Sequence, residues 1–155
     1  IDYPDAERIA VGDTPVFYLP DPELPLIDMT IYLKAGSVDL TESEAGLTDL
    51  LDSTLVRGGT EGRTPVEIAV LLDDNAIRLS VDIGLEETAI RLSTLTPDWE
   101  KGLAVLKEVL ARPRFDAKIV AVTKEQQMVA LRREGEDASN VAMRESMIRH
   151  FKRAG

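Results

Sequence analysis

The sequence predicts an α+β fold, in which helices are packed on one face of an antiparallel sheet. Two patterns within the elements support this fold class. The predicted strands alternate apolar and polar residues, so each has one face suited to a core and one suited to solvent. The predicted helices carry apolar residues at spacings of three and four. The third observation is their order, which is strands, two helices, a hairpin and three helices.

The strands follow from the two-residue period. Prolines divide the opening segment into short extended pieces such as residues 16–19. Residues 27–33 place Ile27, Met29, Ile31 and Leu33 on one side and polar residues on the other, which predicts a strand that ends at Gly36. The same alternation over residues 77–83 and 88–92, joined by residues 84–87, predicts an antiparallel hairpin.

The first two helices are marked by their period and by their ends. Leucines at positions 47, 50, 51 and 55 predict a helix that starts near Ser43 and stops at residues 58–59, both glycine. Thr64 and Glu67 have the spacing of a capping box, and Pro65 occupies the first helical position between them. A second helix is therefore predicted to begin at Thr64.

Three further helices complete the pattern. Residues 96–98 begin the third, for which we expect one core stripe of Trp99, Leu103, Leu106 and Leu110. Asp116 is expected to cap a fourth helix that runs to about Arg133. Residues 135–139 are expected to separate it from a last helix, whose apolar residues are Met143, Met147, Ile148 and Phe151.

Composition limits the function classes. The 155 residues fit a single domain, here residues 1–155, with 28 Asp and Glu against 18 Lys and Arg and a formal net charge of -10. This charge excludes nucleic acid and anionic membrane surfaces as favoured partners. The longest aliphatic run, residues 68–72, is far shorter than the roughly 20 residues of a membrane-spanning helix, so no membrane insertion is expected.

The metal-ligating and nucleophilic residue types are scarce. The sequence contains no Cys and one His, His150, for which a surface or helix-terminal role is expected. Thiolate zinc sites and cysteine nucleophiles are therefore excluded. A zinc site built from several imidazoles of this chain alone is excluded as well.

Three stretches occur in one order along nearly the whole chain. The first is residues 24–29 leading to residues 34–37, Lys-Ala-Gly-Ser. The second is residues 45–53, Ala-Gly-Leu-Thr-Asp-Leu-Leu-Asp-Ser, followed by Arg-Gly-Gly-Thr at residues 57–60. The third is residues 95–103 running to Arg-Pro-Arg-Phe at residues 112–115. Together they resemble the N-terminal part of a domain of the M16 family, which includes insulinase, pitrilysin and mitochondrial processing peptidase.

The resemblance implies a zinc motif that has degenerated in this chain. Active family members carry His-x-x-Glu-His on this helix, where positions i, i+3 and i+4 share one face. The corresponding positions here are Asp49, Asp52 and Ser53, so both imidazoles are absent. A third ligand, a Glu, is expected within residues 128–132, which contain no carboxylate; Glu125 and Glu134 lie about a turn to either side. We therefore expect no bound metal, no cofactor and no catalytic residue.

What the resemblance implies about function is a non-catalytic subunit or half of a bacterial M16 peptidase. Such a domain forms part of a peptide-binding chamber with an active zinc-bearing subunit or with a second half of the same protein. Its partners would be that zinc peptidase and a peptide substrate. The family's domains continue beyond the equivalent of Gly155, so the chain is expected to be a truncated domain that could form a homodimer through its open sheet edge. The resemblance does not determine the compartment, and the periplasm or cell envelope is slightly favoured over the cytoplasm.

Two alternatives belong to other functional classes. One is an active peptidase in which Asp49, Asp52 and Ser53 hold a hard cation such as magnesium or calcium, although those ions favour six or more oxygen ligands. The other is a purely structural subunit, similar to the core proteins of respiratory complexes. Metal analysis with a peptide-cleavage assay distinguishes the first alternative from a non-catalytic chamber subunit. Co-purification with partner proteins distinguishes the second.

Overall fold

A computed structural model describes residues 6–136, 142–143, 145–147 and 149–150. The strands are β1 (Glu7–Val11), β2 (Thr14–Tyr18), β3 (Leu26–Leu33), β4 (Arg78–Ile83) and β5 (Thr88–Leu95). The helices are α1 (Leu47–Thr54), α2 (Pro65–Asp74), α3 (Trp99–Ala111) and α4 (Ala117–Glu136). No helix among the described residues is long and apolar enough to cross a membrane.

The main sheet has three antiparallel strands in the order β3-β5-β4. Its register aligns Met29 and Leu79 on either side of Leu92, and the next apolar row follows the same rule. The opposite face carries polar residues, with Thr30 and Ser80 beside Arg91. The alternation in the sequence and the predicted hairpin are therefore confirmed, as is the α+β fold class.

The core lies between the apolar face of this sheet and the helices. α3 contacts β5, and α1 contacts both β4 and α4. The largest fully buried apolar side chains are Ile68 of α2, Leu92 of β5, and Val105 and Val109 of α3. Helices thus cover the sheet on the face that carries its apolar residues.

The buried face of α3 differs from the expected stripe. Leu106 is buried and Trp99 is partly buried against the core, as expected, but Leu103 and Leu110 are exposed. The reason is Gly102: a Cβ there would lie 3.3 Å from Leu92 Cδ1, so the absent side chain lets α3 approach β5 closely. The helix consequently turns Gly102, Val105, Leu106 and Val109 inward.

The starts of α2 and α4 follow the predicted capping chemistry. Thr64 and Glu67 form a reciprocal capping box at the start of α2. The Asp116 carboxylate accepts the backbone N–H groups of residues 118 and 119, at 3.0 and 3.4 Å, and so caps α4. α1, however, begins at Leu47 after a short 3-10 turn at Glu42–Glu44, rather than near Ser43.

The N-terminal and C-terminal regions each differ from the expectation drawn from the sequence. β1 and β2 form a separate hairpin through a tight turn at Gly12, whose φ of 61° is left-handed, and the proline-rich sequence did not predict it. α4 continues through Gly135 to Glu136, a little beyond the expected end. Met143 and Met147 of the last predicted helix are helical and exposed, whereas Ile148 and Phe151 lie outside the described residues. His150 is exposed.

Candidate functional site

The candidate site is the helix α1, which lies between the edge strand β4 and the long helix α4. The chain enters α1 through Gly46, whose φ of 84° is left-handed and therefore suits glycine. At the other end, the Thr54 hydroxyl is buried and donates a 2.6 Å hydrogen bond to the Leu50 carbonyl oxygen. Both features are local to the helix, and its position is set by its contacts with β4 and α4.

The three positions that the resemblance aligns with the family's zinc motif occupy one side of α1. Asp49, Asp52 and Ser53 stand at positions i, i+3 and i+4, which share a helix face. Asp49 and Asp52 are exposed as whole residues, although the Asp52 carboxyl is partly shielded from solvent, and Ser53 is half-buried. The structure therefore brings these three residues together, and the atoms that this face offers are all oxygens.

Asp52 lies in an acidic environment that includes a residue from the sheet. Partial burial raises the pKa of its carboxyl, and the nearby carboxylates of Asp82 and Asp49 raise it further. Asp82 belongs to the polar face of β4, and its carboxylate also accepts a 3.2 Å hydrogen bond from Arg91 of β5. Sequence reasoning missed Asp82, although its polar position in the alternating strand placed it on the solvent face.

The face of α4 that packs against the rest of the protein carries no Asp or Glu among its described side chains. Its least exposed residues are Ile119, Val120, Thr123 and Gln127, and α1 is the element that α4 contacts most. Glu125 is exposed and stands about 200° around the helix axis from Thr123. Residues 128–132 are all exposed. Among the described residues, no group of three His, Asp or Glu could hold a metal ion.

Two of the sequence stretches that support the resemblance prove to contact each other. The backbone N–H groups of Arg114 and Asp116 donate to the carbonyl oxygens of Gly59 and Gly58, at 3.0 and 3.1 Å. In return, the N–H of Glu61 donates to the Arg112 carbonyl oxygen at 3.0 Å. The segments 57–60 and 112–115 therefore join the end of α1 to the start of α4. We define residues 58–63 together with 112–116 as the helix junction.

A side-chain network ties the helix junction to α3. The guanidinium of Arg63 donates to the Glu108 carboxylate, and the Thr60 hydroxyl donates to the same oxygen at 3.3 Å. The hydrogen bond from Arg63 lowers the pKa of Glu108, and that same bond raises the pKa of Arg63. Arg63 and Glu108 form an ion pair with each other, so we assign them a structural role.

The arrangement limits what this site can do chemically. The α1 face offers two carboxylates and a hydroxyl, and none of its three motif-aligned side chains is an imidazole that could act as a nitrogen ligand or as a base near neutral pH. β4 pairs with β5 on one side, and within the part of the chain that the structure describes no strand pairs with its other side. A sheet edge of this kind can bind an extended peptide through backbone hydrogen bonds.

Comparison with known proteins places these features in a family context. The sequence model described as "Insulinase (Peptidase family M16)" matches residues 18–153. A curated Helicobacter pylori protein, "Non-peptidase homolog YmxG", is 28% identical over 136 residues, which are 88% of this chain and 31% of that protein.

Two solved structures share the fold. A peptidase M16 inactive domain from Pseudomonas fluorescens superposes with a TM-score of 0.80 at 20% identity, covering 90% of this chain and 34% of that one. A protease from Helicobacter pylori superposes with a TM-score of 0.64 at 16% identity, covering 85% of this chain and 31% of that one. The chain thus spans about a third of the length of these relatives.

Proposed function

Because this chain belongs to the insulinase family of peptidases, family M16, we propose that it is a non-catalytic domain of that family. The observation that carries the proposal is the oxygen-only face of α1, where Asp49, Asp52 and Ser53 stand at the positions of the family's zinc motif. The relatives support it, since one is described as a non-peptidase homolog and another as an inactive domain.

The chemistry of zinc supports the same conclusion. A catalytic zinc site uses three protein ligands and keeps one position for water, and this family draws two of the three from imidazoles. Two carboxylates and a hydroxyl also fall short of the six or more oxygens that calcium or magnesium favours. The residues present do not fit a resident zinc ion.

The role that remains is to bind and orient a peptide. The outer edge of β4 runs beside α1, and its solvent face carries Arg78, Ser80 and Asp82. A peptide added to this edge as a strand is held along its backbone and kept extended, which supplies positioning without chemistry. Hydrolysis then takes place on a separate zinc-bearing M16 subunit across the chamber.

The length of the relatives bears on the domain boundaries. The matched regions are 31% and 34% of the YmxG homolog and of the Pseudomonas chain. We therefore treat residues 1–155 as the N-terminal part of a longer polypeptide. The experiments below use that full natural polypeptide.

Metal content and activity test the non-catalytic role. We expect the purified full chain to hold zinc well below one equivalent and to cleave no peptide, with Asp52→Ala indistinguishable from the parent. Stoichiometric metal together with turnover that Asp52→Ala abolishes would instead establish an active peptidase with oxygen ligands.

The partner role has its own test. Cleavage of an unstructured peptide is expected only when the chain is combined with its His-x-x-Glu-His partner. A peptide that is N-methylated at every second residue loses the backbone donors of those residues, and the methyl groups can stand at the odd or at the even positions. We expect only one of these two patterns to weaken binding, because alternate residues of an added strand face the β4 edge. Recovery of membrane-complex subunits in place of a zinc peptidase, with no effect of N-methylation, would favour a structural subunit.

A further inference from the structure

The solvent face of β4 carries opposite charges at its two ends. Alternate residues of a strand share one face, so Arg78, Ser80 and Asp82 stand in one row along β4, and all three are exposed. Arg78 and Asp82 are four residues apart, which separates their Cα atoms by about 13 Å along the strand. The strand therefore presents a positive end and a negative end, with a neutral hydroxyl between them.

The positive end of this row has no charged partner within the sheet. The residue beside Arg78 on β5 is Ser93, and Asp28 of β3 lies one strand further, roughly 10 Å away. Among the described residues, no carboxylate forms a salt bridge with the Arg78 guanidinium. That guanidinium is consequently available to an acidic group that arrives at the edge.

The negative end carries more charge than its one cation neutralises. Asp82 accepts a 3.2 Å hydrogen bond from Arg91, but this ion pair is exposed, and pairs of this kind contribute little. Partial burial raises the pKa of Asp52 on the neighbouring helix α1, and the carboxylates of Asp82 and Asp49 raise it further, so like charges repel at this end. A basic side chain brought to this end would reduce that repulsion.

We propose that the β4 edge selects extended peptides by the order of their charges, and that it prefers a basic residue followed, four residues later, by an acidic one. The main sheet is antiparallel throughout, and antiparallel pairing is the more stable of the two kinds. A peptide that adds to β4 in this direction places its earlier residue beside Asp82 and its later residue beside Arg78. The inference rests on the proposed function, because it names the peptide class for the same edge.

Cross-strand charge pairs are the physical basis of this selection. In antiparallel sheets, opposite charges that stand directly across from each other attract, and like charges repel. A peptide with the basic residue first makes two attractive pairs with β4, whereas a peptide of the same composition with the acidic residue first makes two repulsive pairs. Because Arg78 and Asp82 are both exposed, we expect the difference in affinity to fall as salt screens the charges.

Two peptides of identical composition test the proposal on the full natural polypeptide. One contains Lys-x-x-x-Glu and the other Glu-x-x-x-Lys, within the same uncharged, unstructured sequence and with both termini blocked. We expect Lys-x-x-x-Glu to bind at least ~5-fold more tightly at low ionic strength, measured by fluorescence anisotropy. Equal affinities, or a preference for the reverse order, would overturn the proposal.

Charge reversal on the protein tests whether β4 is the source of the preference. Arg78→Glu combined with Asp82→Lys exchanges the two ends at constant net charge, so the preferred peptide should exchange as well. Arg78→Gln is a milder change that removes one of the two pairs and should narrow the difference in affinity. The matched control, Glu125→Lys combined with Arg132→Glu, reverses two exposed charges of α4 and should keep the parent's preference. A preference that both β4 variants retain in full would contradict the proposal.

The outcomes separate this inference from the proposed function. If neither peptide binds, the peptide-binding role fails and the inference fails with it. If both peptides bind equally and N-methylation in one pattern still weakens binding, the edge binds peptides without regard to charge order. Only the inference then fails, and the proposed function stands.

Discussion

At the scale of single residues, two carboxylates show opposite responses to their surroundings. Asp52 has a raised pKa because it is partly buried and lies near Asp82 and Asp49. Glu108 has a lowered pKa because Arg63 donates a hydrogen bond to it. The first carboxylate lies among other carboxylates on α1 and β4, and the second belongs to an ion pair that supports the fold.

The Glu108 pair gives a prediction with a defined pH dependence. Since the folded state lowers the pKa of Glu108, the pair stabilises fully above the ordinary value of 4.5, and this contribution is lost as the pH falls through the lowered pKa. Both side chains are about a third exposed, so Glu108→Gln should cost only about 1 kcal/mol at neutral pH.

Denaturant titration at neutral pH and at about pH 3 checks this prediction. The difference between parent and Glu108→Gln should shrink in acid. Glu125→Gln, an exposed site on α4, is the control and should change stability little at either pH. A difference that persists undiminished in acid would show that the ion pair is not its source.

At the scale of elements, the helix junction explains why glycine stands between α1 and α2. A Cβ at Gly58 would lie 2.7 Å from the Thr54 carbonyl oxygen and 3.1 Å from Phe115 Cα. Both neighbours are backbone, which cannot move aside as a flexible side chain would. The family-like stretches at residues 57–60 and 112–115 are therefore explained by packing, with no chemical role required.

Gly58→Ala tests the packing of the helix junction. We expect a loss of about 1–3 kcal/mol in the free energy of unfolding, because the added methyl group overpacks against backbone. In Gly62→Ala, four residues further along the same turn region, the added Cβ meets no atom within 4 Å, so the change should be close to neutral. Similar losses at both sites, measured by denaturant titration, would contradict the steric explanation.

At the scale of the whole molecule, stability depends on the face of β5 that meets α3. Leu92 is 1% exposed there, while Leu95 on the opposite face of the same strand is 40% exposed. The sheet thus separates a packed side from a polar side that is free for binding. The proposed peptide edge of β4 borders that polar side, as does Asp52 of α1 through its proximity to Asp82.

Truncating one leucine on each face of β5 tests whether the two faces are packed differently. Leu92→Ala removes a fully buried side chain and should lower the free energy of unfolding by about 2–5 kcal/mol. Leu95→Ala removes a partly exposed one and should cost less than about 1 kcal/mol. Thermal or denaturant unfolding measures both losses, and equal losses of unfolding free energy would mean that the two faces are packed alike.

The sequence by itself determined the fold class, the strands of the main sheet, the α2 capping box and the Asp116 cap. These features depend on the period of apolar residues and on bonds between residues close in sequence, which local spacing records. The sequence also shows directly that Asp49 and Ser53 carry no imidazole, because this depends on residue identity alone.

Only the tertiary structure decided which side of α3 is buried, that Asp82 lies near Asp52, and that the helix junction joins two distant stretches. Gly102 carries no side chain, so no apolar pattern marks it as the point of closest approach to β5. The proximity of Asp82 to Asp52 and the pairing of residues 58–61 with 112–116 depend on how elements meet in space. Packing between segments far apart in sequence fixes them, and local spacing does not encode such contacts.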